Sequence, residues 1–206
     1  KTIKYADIIY CIDDGCPDNF SKYIEKKFLI NSKIKIISHS KNMGMGAAIK
    51  TGYFKAIKDG ADIIIKIDGD NQMDPSLIPL LIKPLIEESA DYTKGNRLVN
   101  LKSISNMPIT RIIGNSFLSL LAKFSTGFWK LSDPENGFTA IHSKVLHFID
   151  LQKLNDKFFF AADLLHHLNL IEAVVEDVPM FSIYGNEKSN NNIFIAFFTF
   201  PFLHLK

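Results

Sequence analysis

Apolar positions fall in short runs separated by longer amphipathic stretches. Residues 5–12 (YADIIYCI) form a buried-strand pattern that stops at Asp13-Asp14-Gly15. Residues 19–30 read as a helix, and 33–38 (KIKIIS) alternate like a short strand. Residues 46–58 carry Ala47, Ile49, Ala56 and Ile57 at helical spacing and end at Asp59-Gly60. A second apolar run, 61–67 (ADIIIKI), reads as a strand. Pro75 then suits the first turn of a helix extending to about residue 89, which Pro79 and Pro84 shorten or kink. Three strand–helix alternations predict a parallel sheet with crossover helices. Beyond Lys94-Gly95-Asn96-Arg97 the alternation fades. There, 109–128 read as a long amphipathic helix containing Arg111 and Asn115. A short strand (137–142), a helix (160–171) and a last strand (173–180) follow.

The stretch IIIKIDGDNQMDP, residues 63–75, carries an apolar run straight into Asp68, Asp70 and Asp74, with Gln72 among them. In an extended chain Asp68 and Asp70 share a face. At ~7 Å and an effective dielectric near 20 their charges repel by roughly 2–3 kcal/mol. A divalent cation would offset that repulsion. A solvated turn is the commoner meaning of a lone D-x-D, and Gly69 and Asn71 fit one. In parallel α/β sheets, however, ligands bind beyond the carboxyl ends of strands, where both Asp13-Asp14 and Asp68/Asp70 fall.

Composition sets outer bounds. The 206 residues suffice for one sizeable α/β domain, and 47% are hydrophobic, enough to build a core. A net charge of +2 gives no basic stripe for nucleic acid. Cys11 and Cys16 form no C-x-x-C, so a reduced compartment is expected. Of 24 basic residues only Arg97 and Arg111 are arginine, which points to places where a rigid two-pronged donor matters. The N-terminus has no signal-peptide pattern. Residues 193–203 (IFIAFFTFPFL) are nearly all apolar, too short to span a bilayer, and follow the polar linker GNEKSNNN. A membrane contact at the C-terminus is the favoured expectation.

The stretch NMGMGAAIKTG (42–52) is neither a Walker A loop nor a dinucleotide fingerprint, because Ile49 stands where each needs a small residue. It remains a Gly-rich turn opening a helix, either a tight connection or an anion site. Haloacid-dehalogenase-like phosphatases share D-x-D but want Thr where Gln72 stands. The six histidines form no H-E-x-x-H, and His166-His167 sit in an apolar helix. Asp133 in SDPENGF is a site acid or a loop acid. Asp163 lies near a helix start, where the dipole favours an acid in any case.

Taken in order, Asp13-Asp14-Gly15, Asn42-x-Gly44-x-Gly46-Ala47-Ala48, Asp68-x-Asp70-x-Gln72, Gly95-Asn96-Arg97 and Asp133-x-x-Asn136-Gly137-Phe138 resemble glycosyltransferase family 2. The subgroup they most resemble is the dolichyl- or polyprenyl-phosphate sugar synthases. The resemblance implies an α/β GT-A fold over residues 1–189, a nucleotide-sugar donor, and Mg²⁺ or Mn²⁺ as cofactor. It also implies an inverting transfer to a polyprenyl phosphate or surface glycan, at the cytoplasmic face of a membrane. Donor contacts would fall to Asp13, Asp14, Asn42, Gly44, Gly46, Asp68, Asp70 and Lys188, and metal ligation to Asp68, Asp70 and Gln72. Catalytic or acceptor-gripping roles would fall to Arg97, Arg111, Asp133 and Asp163. The alternatives are a sugar-nucleotide pyrophosphorylase and an inactive remnant. Cys16 replaces the family's usual Ser, and Lys188 is the lone cation where relatives often place Arg. The family's central first strand is expected upstream of residue 1, so the sheet should show a gap or an unpaired interior edge. Residues 1–206 alone are accordingly expected to be poorly soluble and to bind donor weakly.

Overall fold

The computed structural model describes residues 2–18, 20–28, 31–97, 119–120, 123–124, 126–134 and 136–180. In chain order these form β1 (Ile9–Asp13), α1 (Phe20–Phe28), β2 (Ile34–Ser38), α2 (Met45–Lys58), β3 (Ile63–Lys66) and α3 (Ile78–Ile86). Then follow β4 (Tyr92–Asn96), β5 (Thr139–His142), α4 (Ser143–Leu146), α5 (Phe160–Leu170) and β6 (Val175–Pro179). The expected elements within the described residues are present, with ends shifted by a few residues. Of the expected helix over 109–128, only 119–120, 123–124 and 126 fall among the described residues in helical form. Arg111, Lys188 and the apolar tail lie outside them.

β1 and β2 pair in parallel, and a second sheet has the order β3-β5-β4-β6. β4 and β6 are parallel, whereas β5 runs antiparallel to both β3 and β4. Among the described residues β1, β2, β3 and β6 each pair on one side only.

Alternation along the strands divides the core into two layers. Ile64 and Ile141 face Tyr53 and Ala56 of α2 and Leu164, Leu165 and Leu168 of α5. Ala140, one residue out of phase with Ile141, and Val178 pack with Ile78, Leu81 and Leu85 of α3. Helices therefore cover both faces of the four-stranded sheet, as buried sheets require. α2 ends at Asp59, whose carboxylate takes Lys55 and Lys35 at 2.9 and 2.7 Å, and Gly60 follows with φ +81°.

β4 was not legible as a strand, although every one of its residues is buried. Its sequence, YTKGN, reads as polar. Lys94 is tolerated at 1% exposure because its Nζ donates to the Asn136 carbonyl at 2.6 Å.

Candidate active site

The five motifs fold into two groups at the carboxyl ends of the strands. At the end of β1, Asp13 accepts from the N–H groups of Cys16 (2.8 Å) and Ser21 (3.2 Å), fastening the turn into α1. The Cys16 N–H, foremost, holds the Asp13 carboxyl below the usual range. Asp14 reaches across to the Gly-rich turn and accepts from Met43 N (2.9 Å), Gly44 N (2.8 Å) and His39 Nδ1 (2.7 Å). Burial alone would raise its pKa, but these hydrogen bonds outweigh burial and lower it. His39 Nε2 in turn meets Thr51 Oγ1 at 2.9 Å on α2. The anion that a Gly-rich turn invites is therefore supplied from within the chain, at Met43 and Gly44 at least. Gly15, at φ +70°, lets the β1 loop approach: a Cβ there would lie 2.5 Å from the Lys41 carbonyl carbon.

Gly44 and Gly46, expected as donor contacts, lie against the 155–160 segment. A Cβ on Gly46 would sit 2.2 Å from the Asn155 carbonyl oxygen, and one on Gly44 2.5 Å from that of Asp156. Ala47 N donates to Asp156 O at 2.9 Å, and Lys50 Nζ to Leu154 O at 2.8 Å and to Asp156 at 2.5 Å. These glycines admit a neighbouring backbone. Asn42 is exposed beside them. Gly46→Ala should consequently destabilise the protein. Helix propensity favours alanine by about 1 kcal/mol, but overpacking against backbone costs up to ~3 kcal/mol. A net loss of about 1–2 kcal/mol lowers the melting temperature by roughly 2–8 °C. Calorimetry showing an unchanged or raised melting temperature would refute the packing.

The second group gathers at β3, β4 and the loop into β5. Because β5 is antiparallel, its beginning lies at the carboxyl ends of β3 and β4: Thr139 is paired with both Lys66 and Lys94. Residues 133–138 are thereby delivered to that edge. Asp133, 3% exposed, takes Arg97 in a two-pronged pair, Nε to Oδ2 at 2.6 Å and Nη2 to Oδ1 at 2.8 Å, and accepts the Arg97 N–H at 3.2 Å. Asn136 locks the loop: its Nδ2 donates to Gly95 O at 2.6 Å and its Oδ1 accepts from Phe138 N at 3.0 Å. Gly137 lies against Asp68, where a Cβ would meet Asp68 Oδ2 at 2.1 Å and Lys66 Nζ at 2.4 Å. Asp68 Oδ1 pairs with Lys66 Nζ at 2.5 Å.

Asp70 is exposed, and its Oδ1 accepts from Gln72 N at 3.0 Å. Asp74 serves differently, capping the 3-10 turn Pro75–Leu77 through Ser76 N at 2.9 Å. Among the described residues no three His, Cys, Asp or Glu side chains gather as a self-sufficient metal cage. Two carboxylates and an amide are nonetheless a fitting donor set for Mg²⁺ or Mn²⁺. Such ions are commonly held by one or two carboxylates, with substrate phosphates completing the shell. Asp163 stands apart from this group: its Oδ2 accepts from Asn155 N at 2.8 Å and its Oδ1 lies 3.5 Å from His167 Nδ1. Asn155 belongs to the segment that docks α2, and His167 lies one turn along α5.

Sequence reasoning missed Lys66, although a signal was there: a lysine interrupting IIIKI two residues before Asp68 must share its face. It also missed His39, whose partner Asp14 is 25 residues distant.

Carboxylates at the ends of β1 and β3, with helices on both faces of the four-stranded sheet, fit an α/β scaffold of the GT-A type. The chain belongs to glycosyl transferase family 2, which matches residues 3–149. It is 30% identical over 205 residues to the UDP-N-acetylglucosamine--dolichyl-phosphate N-acetylglucosaminyltransferase of Methanococcus voltae, covering 93% of this chain and 81% of that protein. It is 27% identical over 152 residues to the dolichol-phosphate mannosyltransferase of Pyrococcus furiosus, covering 72% and 41%. In fold it is similar to glucosyl-3-phosphoglycerate synthase from Mycobacterium tuberculosis in complex with Mn²⁺, UDP and phosphoglyceric acid. The TM-score is 0.63 at 17% identity, covering 89% of this chain and 61% of that one. The family resemblance drawn from the five motifs agrees with these matches.

Proposed function

We propose that the protein is a glycosyltransferase that moves a sugar from a nucleoside-diphosphate donor to a polyprenyl phosphate, in one inverting step. One observation carries the reading: the single loop 133–138 touches both Asp68 and Arg97, joining a cation-suited acid to an anion-suited guanidinium. Asp68, Asp70 and Gln72 would hold a divalent cation, which neutralises charge on the departing diphosphate. Arg97 would orient the acceptor phosphate, with Arg111 and Lys188 as further candidate cations beyond the described residues. An acceptor phosphate oxygen forms the new bond to the sugar's anomeric carbon as the bond to the diphosphate breaks. The electron pair leaves with the nucleoside diphosphate. That oxygen is already ionised at neutral pH, so the step needs positioning more than a base. Asp133, engaged by Arg97, is suited to orient the guanidinium. Asp163 is suited to brace α5 against the 155 segment.

The M. voltae relative's name suggests the first substrates to try, UDP-N-acetylglucosamine and dolichyl phosphate. Incubation with Mn²⁺ or Mg²⁺ and a panel of nucleotide sugars, read by mass spectrometry of the lipid product, should yield a lipid-linked monosaccharide. Failure with every donor and every polyprenyl phosphate would overturn the reading. Among the described residues no helix is long and apolar enough to cross a membrane. Membrane contact at the cytoplasmic face, through the apolar tail, remains part of this proposal.

Lys66 adds a measurable consequence. Its ammonium competes with any cation for Asp68, and an ion pair of this partly exposed kind contributes about 1 kcal/mol. Lys66→Met should therefore tighten Mn²⁺ binding roughly five- to tenfold, measured by electron paramagnetic resonance of free Mn²⁺. Weaker or unchanged binding would remove Asp68 from the ligand set.

A further inference from the structure

Arg97 and Asp133 come from segments 36 residues apart, and a third side chain reaches both segments. Asp177 stands on β6, opposite Lys94 in the parallel ladder with β4. Its Oδ2 accepts from Asn96 Nδ2 at 2.7 Å and from the Ser132 N–H at 2.8 Å. Asn96 immediately precedes Arg97, and Ser132 immediately precedes Asp133. One carboxylate oxygen thus ties the residue before the guanidinium to the residue before its acid. The other oxygen, Oδ1, is buried and has no hydrogen-bond partner among the described residues. Burial, above all, lifts the Asp177 carboxyl above the usual range, and the nearby charge of Asp133 pushes the same way. A half-buried acid with one oxygen sealed from solvent is a costly way to fasten a strand, and it calls for a reason.

We propose that Asp177 is a positioning residue: by accepting from Asn96 and Ser132 through one oxygen, it sets the spacing of the two backbones that carry Arg97 and Asp133, and so aims the guanidinium. The inference rests on the reading of Arg97 as the acceptor-phosphate group. What matters is the acceptor at the Oδ2 position, more than the charge. Asparagine can place its amide oxygen there, alanine cannot, and glutamate carries the charge but moves it outward by a methylene. Other bonds hold the same residues from outside: Ser119 Oγ donates to Ser132 O at 3.0 Å, and Met180 N to Asn96 O at 3.0 Å. Loss of Asp177 should consequently loosen the aim of Arg97 without freeing either segment.

The test compares Asp177→Ala, Asp177→Asn and Asp177→Glu in the full chain. Hydrogen exchange at the Ser132 amide should accelerate about tenfold in Asp177→Ala and stay protected in Asp177→Asn. With Mn²⁺, nucleotide sugar and a short polyprenyl phosphate, Asp177→Ala should raise the acceptor KM about tenfold with donor KM within twofold. Asp177→Asn should restore most of the lost acceptor affinity. If Asp177→Ala does not fold, Asp177→Glu decides: a raised acceptor KM supports positioning, and wild-type behaviour assigns the role to charge and overturns the proposal. Equal rises in donor and acceptor KM would reduce Asp177 to general scaffolding. If the wild type transfers no sugar to any lipid phosphate, the functional reading fails. The exchange experiment then still decides whether the tie exists.

Discussion

Asp70→Asn should abolish metal-dependent donor binding while the protein keeps its melting temperature. The substitution is nearly isosteric, and the bond this side chain makes among the described residues, from Gln72 N to Oδ1, survives because an asparagine oxygen accepts equally well. Asn71, at φ +62°, is itself a residue that tolerates left-handed backbone, so the turn is not strained by a second amide beside it. Local structure is therefore insulated from the change, and chemistry is not. Removing one of two carboxylates lowers the charge that attracts a divalent cation, and a cation's stabilisation of the departing diphosphate is worth several kcal/mol. Turnover should fall by roughly 10²–10⁴. Calorimetric titration of donor with and without Mn²⁺ separates the outcomes. The mutant should show the weak metal-free affinity under both conditions, and unchanged Mn²⁺-dependent affinity would remove Asp70 from the site. Asp68 is a less clean target, because its loss also strands Lys66 beside Gly137.

How far the sequence carried depended on whether an interaction was local. β1, β2, α2, β3 and α5 were legible because apolar periodicity and their stop signals lie within each segment. β4 was not, because its burial depends on a partner 42 and 41 residues away: Lys94 on the Asn136 carbonyl, and Gly95 on the Asn136 amide. The antiparallel course of β5 was equally hidden. Nothing in TAIH states its direction, and it is this direction that brings 133–138 beside Asp68. Within the site, the acids announced themselves by sitting at strand ends. Their employment did not. Asp14 looked like a donor contact and is engaged by Met43, Gly44 and His39, a bond set that requires the tertiary path of the 39–44 loop. Asp177 sits in an ordinary alternating strand, and no local feature separates it from Glu176, which is exposed.

Arg97→Lys should cut turnover with a lipid-phosphate acceptor by about 10²-fold while donor affinity stays within a factor of about three, and Arg111→Lys should act in the same direction. Lysine keeps the charge but offers a point where the guanidinium offers a fork. Asp133 is 3% exposed and receives two prongs and a backbone N–H. A lysine ammonium can meet one oxygen, leaving the other buried and poorly met. Outright loss of the partner in Arg97→Ala is harsher: an uncompensated buried carboxylate costs about 3–5 kcal/mol, so that variant tests folding before function. Asp133→Asn probes the pair from the other side. It keeps the volume and one acceptor, but it releases the guanidinium from its two-pronged hold. If Asp133 were the base of the reaction, the substitution would remove the acidic limb of the kcat/KM profile against pH, since that limb reports the base. If it orients Arg97, the profile keeps its shape and the acceptor KM rises by roughly tenfold or more. The second result is expected, because both Asp133 oxygens are already engaged by Arg97 at a 3% exposed position, and a phosphate acceptor has no proton to give up. A lost acidic limb in Asp133→Asn, with an unchanged acceptor KM, would make Asp133 the base and point to a hydroxyl acceptor in place of a phosphate.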